Sequence, residues 1–406
     1  MKFECRVLSL KSRDKLFNEI IEHVKSTEIG AKKVSEKGTH LNIFVKDLKP
    51  IAANILKQEM LSLGADCIVE KGALDLTIDR CNVILTGNLK HFRLLAPKLK
   101  LQPFGLKTLG KEINQTIRNF FQEEFILFSK NREIKLKKEK TYIMGILNVT
   151  PDSFSDGGKF LTIDSALKRV EEMIDEGADF IDIGGESTRP GSERVSLDEE
   201  LKRVIPVIEK ISENFPEIPI SIDTYKSKVA EEAISAGAWI VNDISGLNFD
   251  EKMKDVVIKE KVPVILMHIK GTPENMQKNP VYKNLIGEIF SYLKKSIDLI
   301  EENGGNRDNI IIDPGIGFGK TFDHNLEILN RLEEFKSFGL PVLIGASRKS
   351  FLGAILKEEN PEKRVIGSLA VAAISAIKGA KILRVHDVKQ TIETLKVADA
   401  IRNQHV

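Results

Sequence analysis

From Thr141 onward, short apolar, β-branched runs recur with helical patterns between them, and this alternation restricts the possible folds more than any other feature. The runs are Tyr142–Leu147, Phe180–Ile183, Pro219–Ile222, Trp239–Val241, Val262–Met267, Ile310–Ile312, Leu340–Ile344 and Lys381–Val385. They are largely apolar throughout rather than alternating, as strands covered on both faces should be. Helical candidates fill the gaps at 165–176, 197–211, 227–236, 252–259, 286–303, 325–332, 350–356 with 366–378, and 388–401. Strands that alternate with helices run parallel, each reached through a crossover helix. Eight such units in 266 residues predict a (β/α)8 barrel, for which about 250 residues is typical. An open doubly wound sheet is the rival. No G-x-G-x-x-G follows the first strand, which weakens its dinucleotide-binding version.

A barrel of this kind carries its chemistry at the C-terminal ends of its strands. The residues there are Asn148; Gly184, Gly185 and Glu186; Asp223; Asn242 and Asp243; His268; Asp313; Ser347, Arg348 and Lys349; and Arg384 with His386 and Asp387. Any single Asp, Asn or Ser in such a place reads equally well as a helix N-cap. Polar residues at the ends of all the strands do not. The set holds no Ser-His-Asp arrangement and no three-ligand zinc set. Asp223, Asn242, Asp313 and Lys349 around one pocket suit a flat, nitrogen-rich heterocycle. A carboxylate accepts two parallel N–H bonds from a 2-amino-pyrimidinone edge as it does from a guanidinium, and Arg384 can lie against the ring face. Gly- and Pro-rich connections at 148–158 and 184–191 read as lids. Turn chemistry explains their Gly and Pro but not Arg189. A third Gly-rich loop, Gly315–Lys320, lacks the Walker A spacing and reads as close packing against a ligand.

The motifs themselves resemble a family. TYIMGILNVTPDSFSDGG at 141–158 and DIGGESTRPG at 182–191 are similar to the first two motifs of dihydropteroate synthases. SIDT (221–224), VNDISG (241–246), MHIKGTPENMQ (267–277), DPGIGFGK (313–320), SRKSF (347–351) and RVHDV (384–388) follow in the family's order. The resemblance implies a TIM barrel that joins 6-hydroxymethyl-7,8-dihydropterin pyrophosphate to p-aminobenzoate, giving dihydropteroate and pyrophosphate in folate synthesis. It implies that Asp223, Asn242, Asp313 and Lys349 hold the pterin, with Met267, Gly317 and Gly345 also lining the substrate site. Arg384 would stack on the pterin and meet the pyrophosphate, which Asn148 and His386 would also bind. Asn148 would ligate Mg²⁺, the expected cofactor. Thr188, Arg189, Pro190 and Ser350 would border the p-aminobenzoate, with Phe154 and Phe318 as apolar walls. One soft departure is Ile269, where many members carry Met, and that swap conserves bulk. The family also implies a homodimer through late barrel helices. Two alternatives share the barrel. A pterin-dependent methyltransferase does not need the closing loops, SRKSF or RVHD. A non-catalytic pterin-binding paralogue does not need Asn148, Arg189, Lys349, Arg384 and His386 intact.

The first 140 residues differ in kind. They carry 27 Lys and Arg against 17 Asp and Glu, whereas residues 141–406 carry 34 against 42. The expected organisation is a small α/β accessory domain over 1–134 and the barrel over 135–406. Within the first, Phe3–Leu10 reads as a strand. Ser12 reads as the cap of a helix containing Leu16, Ile20, Ile21 and Val24. Strands are expected at Leu41–Val45, Cys67–Val69, Leu74–Ile78 and Asn82–Leu85. A helix capped by Asp47, with Pro50 in its first turn, should end at Gly64, and another should span Leu109–Phe125. The basic balance could attract nucleic acid, but the lysines are scattered and no aromatics interleave with them, so none is expected. Cys5, Cys67 and Cys81 form no C-x-x-C pair. No apolar stretch approaches the ~18 residues that span a bilayer, and charges interrupt the first residues where a secretory signal would be apolar. The expectation is a cytoplasmic enzyme acting on small molecules without a membrane partner.

Overall fold

The computed structural model describes residues 5–10, 12–149, 163–187 and 194–404. The chain divides into two compact units between Asn119 and Phe120.

The first unit opens with helix α1 (Arg13–Glu19), which runs on as a wider turn over Ile20–Val24. Ser12 caps α1 by accepting from the Lys15 amide. Then come α2 (Glu28–Gly38), β1 (His40–Leu48), α3 (Pro50–Ser62), β2 (Asp66–Val69), β3 (Cys81–Asn88), α4 (Leu89–Leu99) and α5 (Leu106–Phe120). The three strands form an antiparallel sheet in the order β1-β3-β2. One face of it packs Cys67, Cys81, Val83 and Leu85 against Leu56, Met60, Phe92, Leu95 and Ile113 of the helices.

Five expectations for this region change. The helix expected over Leu109–Phe125 spans Leu106–Phe120, and Phe125 opens a strand instead. Residues 5–10 carry no regular structure. Asp47 lies inside β1 with φ 64°, and α3 starts from Lys49 without a side-chain cap, Pro50 taking its first turn. Leu74–Ile78 is a turn with Leu74 and Leu76 exposed, and only Ile78 of this segment packs against the core, beside the buried Ala73 that precedes it. The domain boundary falls before, not after, the hairpin of β4 (Phe125–Ser129) and β5 (Arg132–Leu136). A cut at 134 would pass through β5.

The hairpin belongs with the barrel for a packing reason. Its Leu127, Ile134 and Leu136 form one buried cluster with Tyr142, Met144, Phe180, Trp239, Ile240, Ile265, Ile311, Leu343 and Ile382. Ser129 Oγ also donates to the Trp239 carbonyl at 2.8 Å, and Asn309 pairs with both backbone groups of Phe128.

The barrel strands are β6 (Tyr142–Asn148), β7 (Phe180–Gly184), β8 (Ile220–Asp223), β9 (Ile240–Asp243), β10 (Val264–Met267), β11 (Ile310–Asp313), β12 (Leu343–Ile344) and β13 (Ile382–Val385). All pair in parallel, in the order β11-β10-β9-β8-β7-β6-β13-β12. A single bridge between Ile312 and Val342 joins the two ends. The crossover helices are α6 (Ile163–Glu176), α7 (Leu197–Asn214), α8 (Ser227–Ala236), α9 (Met253–Glu260), α10 (Leu285–Glu302), α11 (Phe322–Asn330), α12 (Ser350–Leu356), α13 (Val365–Ile377) and α14 (Val388–Asn403). Each overlaps its expected segment.

Side chains alternate across each strand. Ile181, Ile183, Ile220, Ile222, Val241, Leu266, Ile310, Ile312 and Leu383 pack outward against the helices. Their neighbours face the barrel axis, in layers. The layer near the hairpin is apolar. The layer at the other pole holds Asn148, Asp182, Asp223, Asn242, Asp313 and Arg384.

Removing residues 1–140 therefore strips the hairpin from the barrel. Each of its three large core side chains contributes about 1.5–3 kcal/mol by burial. A 141–406 fragment should unfold at markedly lower temperature than a 120–406 fragment. Equal thermal midpoints would contradict this role.

Candidate active site

Arg384, on β13, occupies the centre of the polar pole. Its Nε donates to Asp182 Oδ2 at 2.6 Å and its Nη2 to Asp223 Oδ2 at 2.7 Å. Asp182 is fully buried and also accepts from Asn242 Nδ2, at 3.2 and 3.4 Å. Gly345 lies beside the Arg384 arm, where a Cβ would make ordinary contact with Arg384 Cβ and Cδ at 3.8 Å. Three strands and one amide thus fix a single cation. Asp182 escaped the sequence reading because it sits inside the apolar run Phe180–Ile183. Strand parity could have found it, since it shares a face with Gly184.

Asp223 has a second oxygen, Oδ1, which is buried and has no hydrogen-bond partner. Burial pushes this carboxyl up to about 7, with Arg384 pulling against it. Asp313, at the end of β11, accepts from the Gly315 amide at 2.7 Å. Burial pushes it up to about 6, although Lys320, Lys349 and Arg384 oppose the shift. Lys349 follows β12 and starts α12. Its Nζ lies over the Phe318 ring, 4.2 Å from the centroid. Met267, at the end of β10, packs in one buried cluster with Phe318, Ile244, Ile269 and Met276, which forms an apolar wall beside the polar layer.

His386 follows β13. Ser347 Oγ accepts from the His386 amide at 3.3 Å and lies 3.1 Å from its Nδ1. A hydroxyl that donates to Nδ1 would leave the ring proton on Nε2, free to donate. Burial, reinforced by Arg384, lowers this imidazole to about 3, so it is neutral near pH 7. Arg348 grips Asp387 with two bonds, at 2.6 and 3.1 Å, and so ties the loop bearing Lys349 to the loop bearing His386.

Asn148 ends β6. An ideal Cβ on Gly184 would stand 3.8 Å from Asn148 Oδ1 and 3.7 Å from Asp223 Oδ2, so the glycine leaves that space open. Among the described residues no three His, Cys, Asp or Glu side chains cluster to hold a metal. One amide oxygen beside open space suits Mg²⁺, which keeps waters and takes its remaining ligands from substrate phosphates.

The strand ends thus gather Asn148, Asp223, Asn242, Met267, Asp313, Gly345, Lys349, Arg384 and His386, with Gly317 and Phe318 on the loop after β11. Ser350 is the exposed first residue of α12. Thr188, Arg189, Pro190 and Phe154 lie outside the described residues. The Gly315–Lys320 loop corrects its expectation. A Cβ on Gly315 would come within 2.0 Å of the His268 carbonyl oxygen, and one on Gly319 within 2.4 Å of that of Lys270. These glycines pack against the neighbouring loop rather than a ligand. Gly317 faces the Lys349 side chain, 3.2 Å from a Cβ.

In the chain alone, Asp223 and Asp313 take up protons as pH falls through about 7 and then about 6. A ligand that uses both as acceptors binds the ionised forms. Its affinity should fall as pH is lowered through that window and level off above it. Fluorescence titration with a pterin analogue across pH tests this, and an affinity that rises toward acid would contradict it.

Comparison with known proteins agrees with this architecture. The pterin binding enzyme family model matches residues 144–386. A dihydropteroate synthase of Bacillus subtilis is 51% identical over 267 residues, 66% of this chain and 90% of that one. A Xanthomonas albilineans dihydropteroate synthase structure with 4-aminobenzoic acid superposes with a TM-score of 0.65 at 40% identity, covering 69% of this chain and 99% of that one. A probable bifunctional folylpolyglutamate synthase/dihydropteroate synthase of Halobacterium salinarum is 36% identical over 389 residues, 95% of this chain and 46% of that one, so its match takes in the first unit as well. On these likenesses and its own barrel, the chain belongs to the pterin-binding enzymes of the dihydropteroate synthase family.

Proposed function

We propose how this chain carries out the family's reaction, the condensation of 6-hydroxymethyl-7,8-dihydropterin pyrophosphate with p-aminobenzoate to give dihydropteroate and pyrophosphate. The observation that carries the assignment of roles is the buried, unpartnered Oδ1 of Asp223 in a pocket shared with Asn242, Asp313 and Arg384. A buried acceptor of this kind calls for an N–H donor, and the pterin's amino-pyrimidinone edge presents several. Asp223, Asn242 and Asp313 take that edge, Lys349 a ring acceptor, and Met267 the apolar face. A site built on N–H recognition rejects analogues lacking it by a factor of about 10⁴–10⁵.

The C–O bond to pyrophosphate breaks and a C–N bond to the aryl amine forms. The proton lost from nitrogen goes to solvent. An aniline nitrogen attacks without prior deprotonation, so no strong base is required. Arg384 and neutral His386, through Nε2–H, donate to the leaving group as its charge grows. Asn148 would hold Mg²⁺, which when bound neutralises part of the pyrophosphate charge. The Asp313 carboxylate favours positive charge on the methylene carbon that pyrophosphate leaves, which supports an early-dissociating, SN1-like course. Thr188, Arg189, Pro190, Ser350 and Phe318 border the aryl amine. The Xanthomonas relative's structure with 4-aminobenzoic acid supports that substrate here.

Pyrophosphate release on mixing the chain with both substrates and Mg²⁺ tests the assignment. Lys349→Ala should weaken pterin binding by at least about 2 kcal/mol, the scale of a lost charged hydrogen bond. Unchanged affinity would remove Lys349 from the pterin site.

A homodimer is part of this reading. Helix α13 is apolar nearly all round, and its Ile366, Ile374 and Ile377 are 78%, 47% and 48% exposed. With Ala370 they form one helical stripe. Ile374→Glu should convert a dimer to a monomer in sedimentation velocity, and an unaltered profile would place any interface elsewhere.

A further inference from the structure

Lys320 stands outside the set supplied by the strand ends, yet it is only 3% exposed and burial holds its amine well below the usual lysine range. Its Nζ meets His268 Nδ1 at 2.8 Å, the His268 carbonyl oxygen at 3.1 Å and the Phe318 carbonyl oxygen at 3.0 Å. His268 follows β10 and Lys320 closes the loop after β11, so one side chain joins two adjacent loops at the catalytic pole. Gly315 makes the approach possible, since a Cβ there would collide with the His268 carbonyl. Tyr292 packs edge-on against the His268 ring, 4.7 Å between centroids, and holds the acceptor in place.

Two substrate-facing groups of the β11 loop are held in different ways. Asp313 belongs to the ladder: it pairs with Met267, its carbonyl oxygen accepts from the His268 amide at 3.0 Å, and its Oδ1 accepts from Gly315. Phe318 lies beyond the ladder, and its carbonyl oxygen accepts from Lys320. Its ring carries Lys349 Nζ above it. We propose that Lys320 is a positioning residue: by tying Phe318 to His268 it sets the apolar wall for the aryl amine, while the pterin-binding carboxylate keeps its place without it. This rests on the assignment of Phe318 to the aryl-amine side. A methionine would fill nearly the same volume and lose the three bonds together with the positive charge that opposes the rise of Asp313, so the measurement is made well above the pH window of that carboxylate.

The test is Lys320→Met in the full chain, with KM measured separately for the two substrates. The KM for p-aminobenzoate should rise about tenfold or more, the scale of a lost charged hydrogen bond, while that for the pterin pyrophosphate changes less than about threefold. A purely structural role would raise both together. Equal rises, or an unchanged p-aminobenzoate KM, overturn the proposal. His268→Leu removes the ring acceptor while Lys320 keeps its two carbonyl acceptors, and should raise the p-aminobenzoate KM in the same direction by a smaller factor, again without moving that for the pterin pyrophosphate. His268→Gln, whose Oε1 can accept from the lysine, should restore the KM. This pair decides the matter if Lys320→Met does not fold. Absence of turnover in the unsubstituted chain would instead count against the assignment of activity.

Discussion

The catalytic pole depends on one guanidinium held between two buried carboxylates. Arg384 reaches across from β13 to Asp182 on β7 and Asp223 on β8. Taking three charges out of water costs several kcal/mol each before their attraction is counted. The surroundings limit that cost. Asn242 gives Asp182 a further donor. Neutral His386 beside the cation is a consequence of the same arrangement, because burial and Arg384 both disfavour a second positive charge there.

The barrel interior is therefore divided along its axis. One pole is plugged by apolar side chains and a hairpin, the other is lined by ions and amides. Strand alternation alone creates both: Met144 and Asn148, Phe180 and Asp182, Ile240 and Asn242, Ile311 and Asp313, Ile382 and Arg384 are in each case on one face of one strand. The apolar member fixes the strand and the polar member inherits its position.

Much of this was legible in the residues. All eight barrel strands overlap their expected runs, several extending one or two residues past them into the polar ends, because strands covered on both faces leave an uninterrupted apolar signal. The polar ends were legible because a charge at the edge of such a run has few structural reasons to be there. Asp182 was not, since a single charge inside an apolar run looks like noise until parity is imposed. The hairpin was missed because Phe125 reads as the end of a helix and the charged run 130–140 hides the alternation of Ile134 and Leu136. Its apolar half becomes visible only once the open end of a barrel needs filling. The roles of Gly315 and Gly319 depended on a contact between loops some fifty positions apart, which no local pattern encodes.

The ionic layer also leaves its mark on what the fold can become. Replacing a buried ion triad by fitted apolar residues often makes a protein more stable. A barrel whose Asp182, Asp223 and Arg384 became aliphatic would extend its dry core toward both poles and have no pocket left to bind with. Selection for heat resistance alone would push this chain in that direction. The persistence of charge at the barrel's centre thus measures how far usefulness, rather than robustness, has shaped the fold.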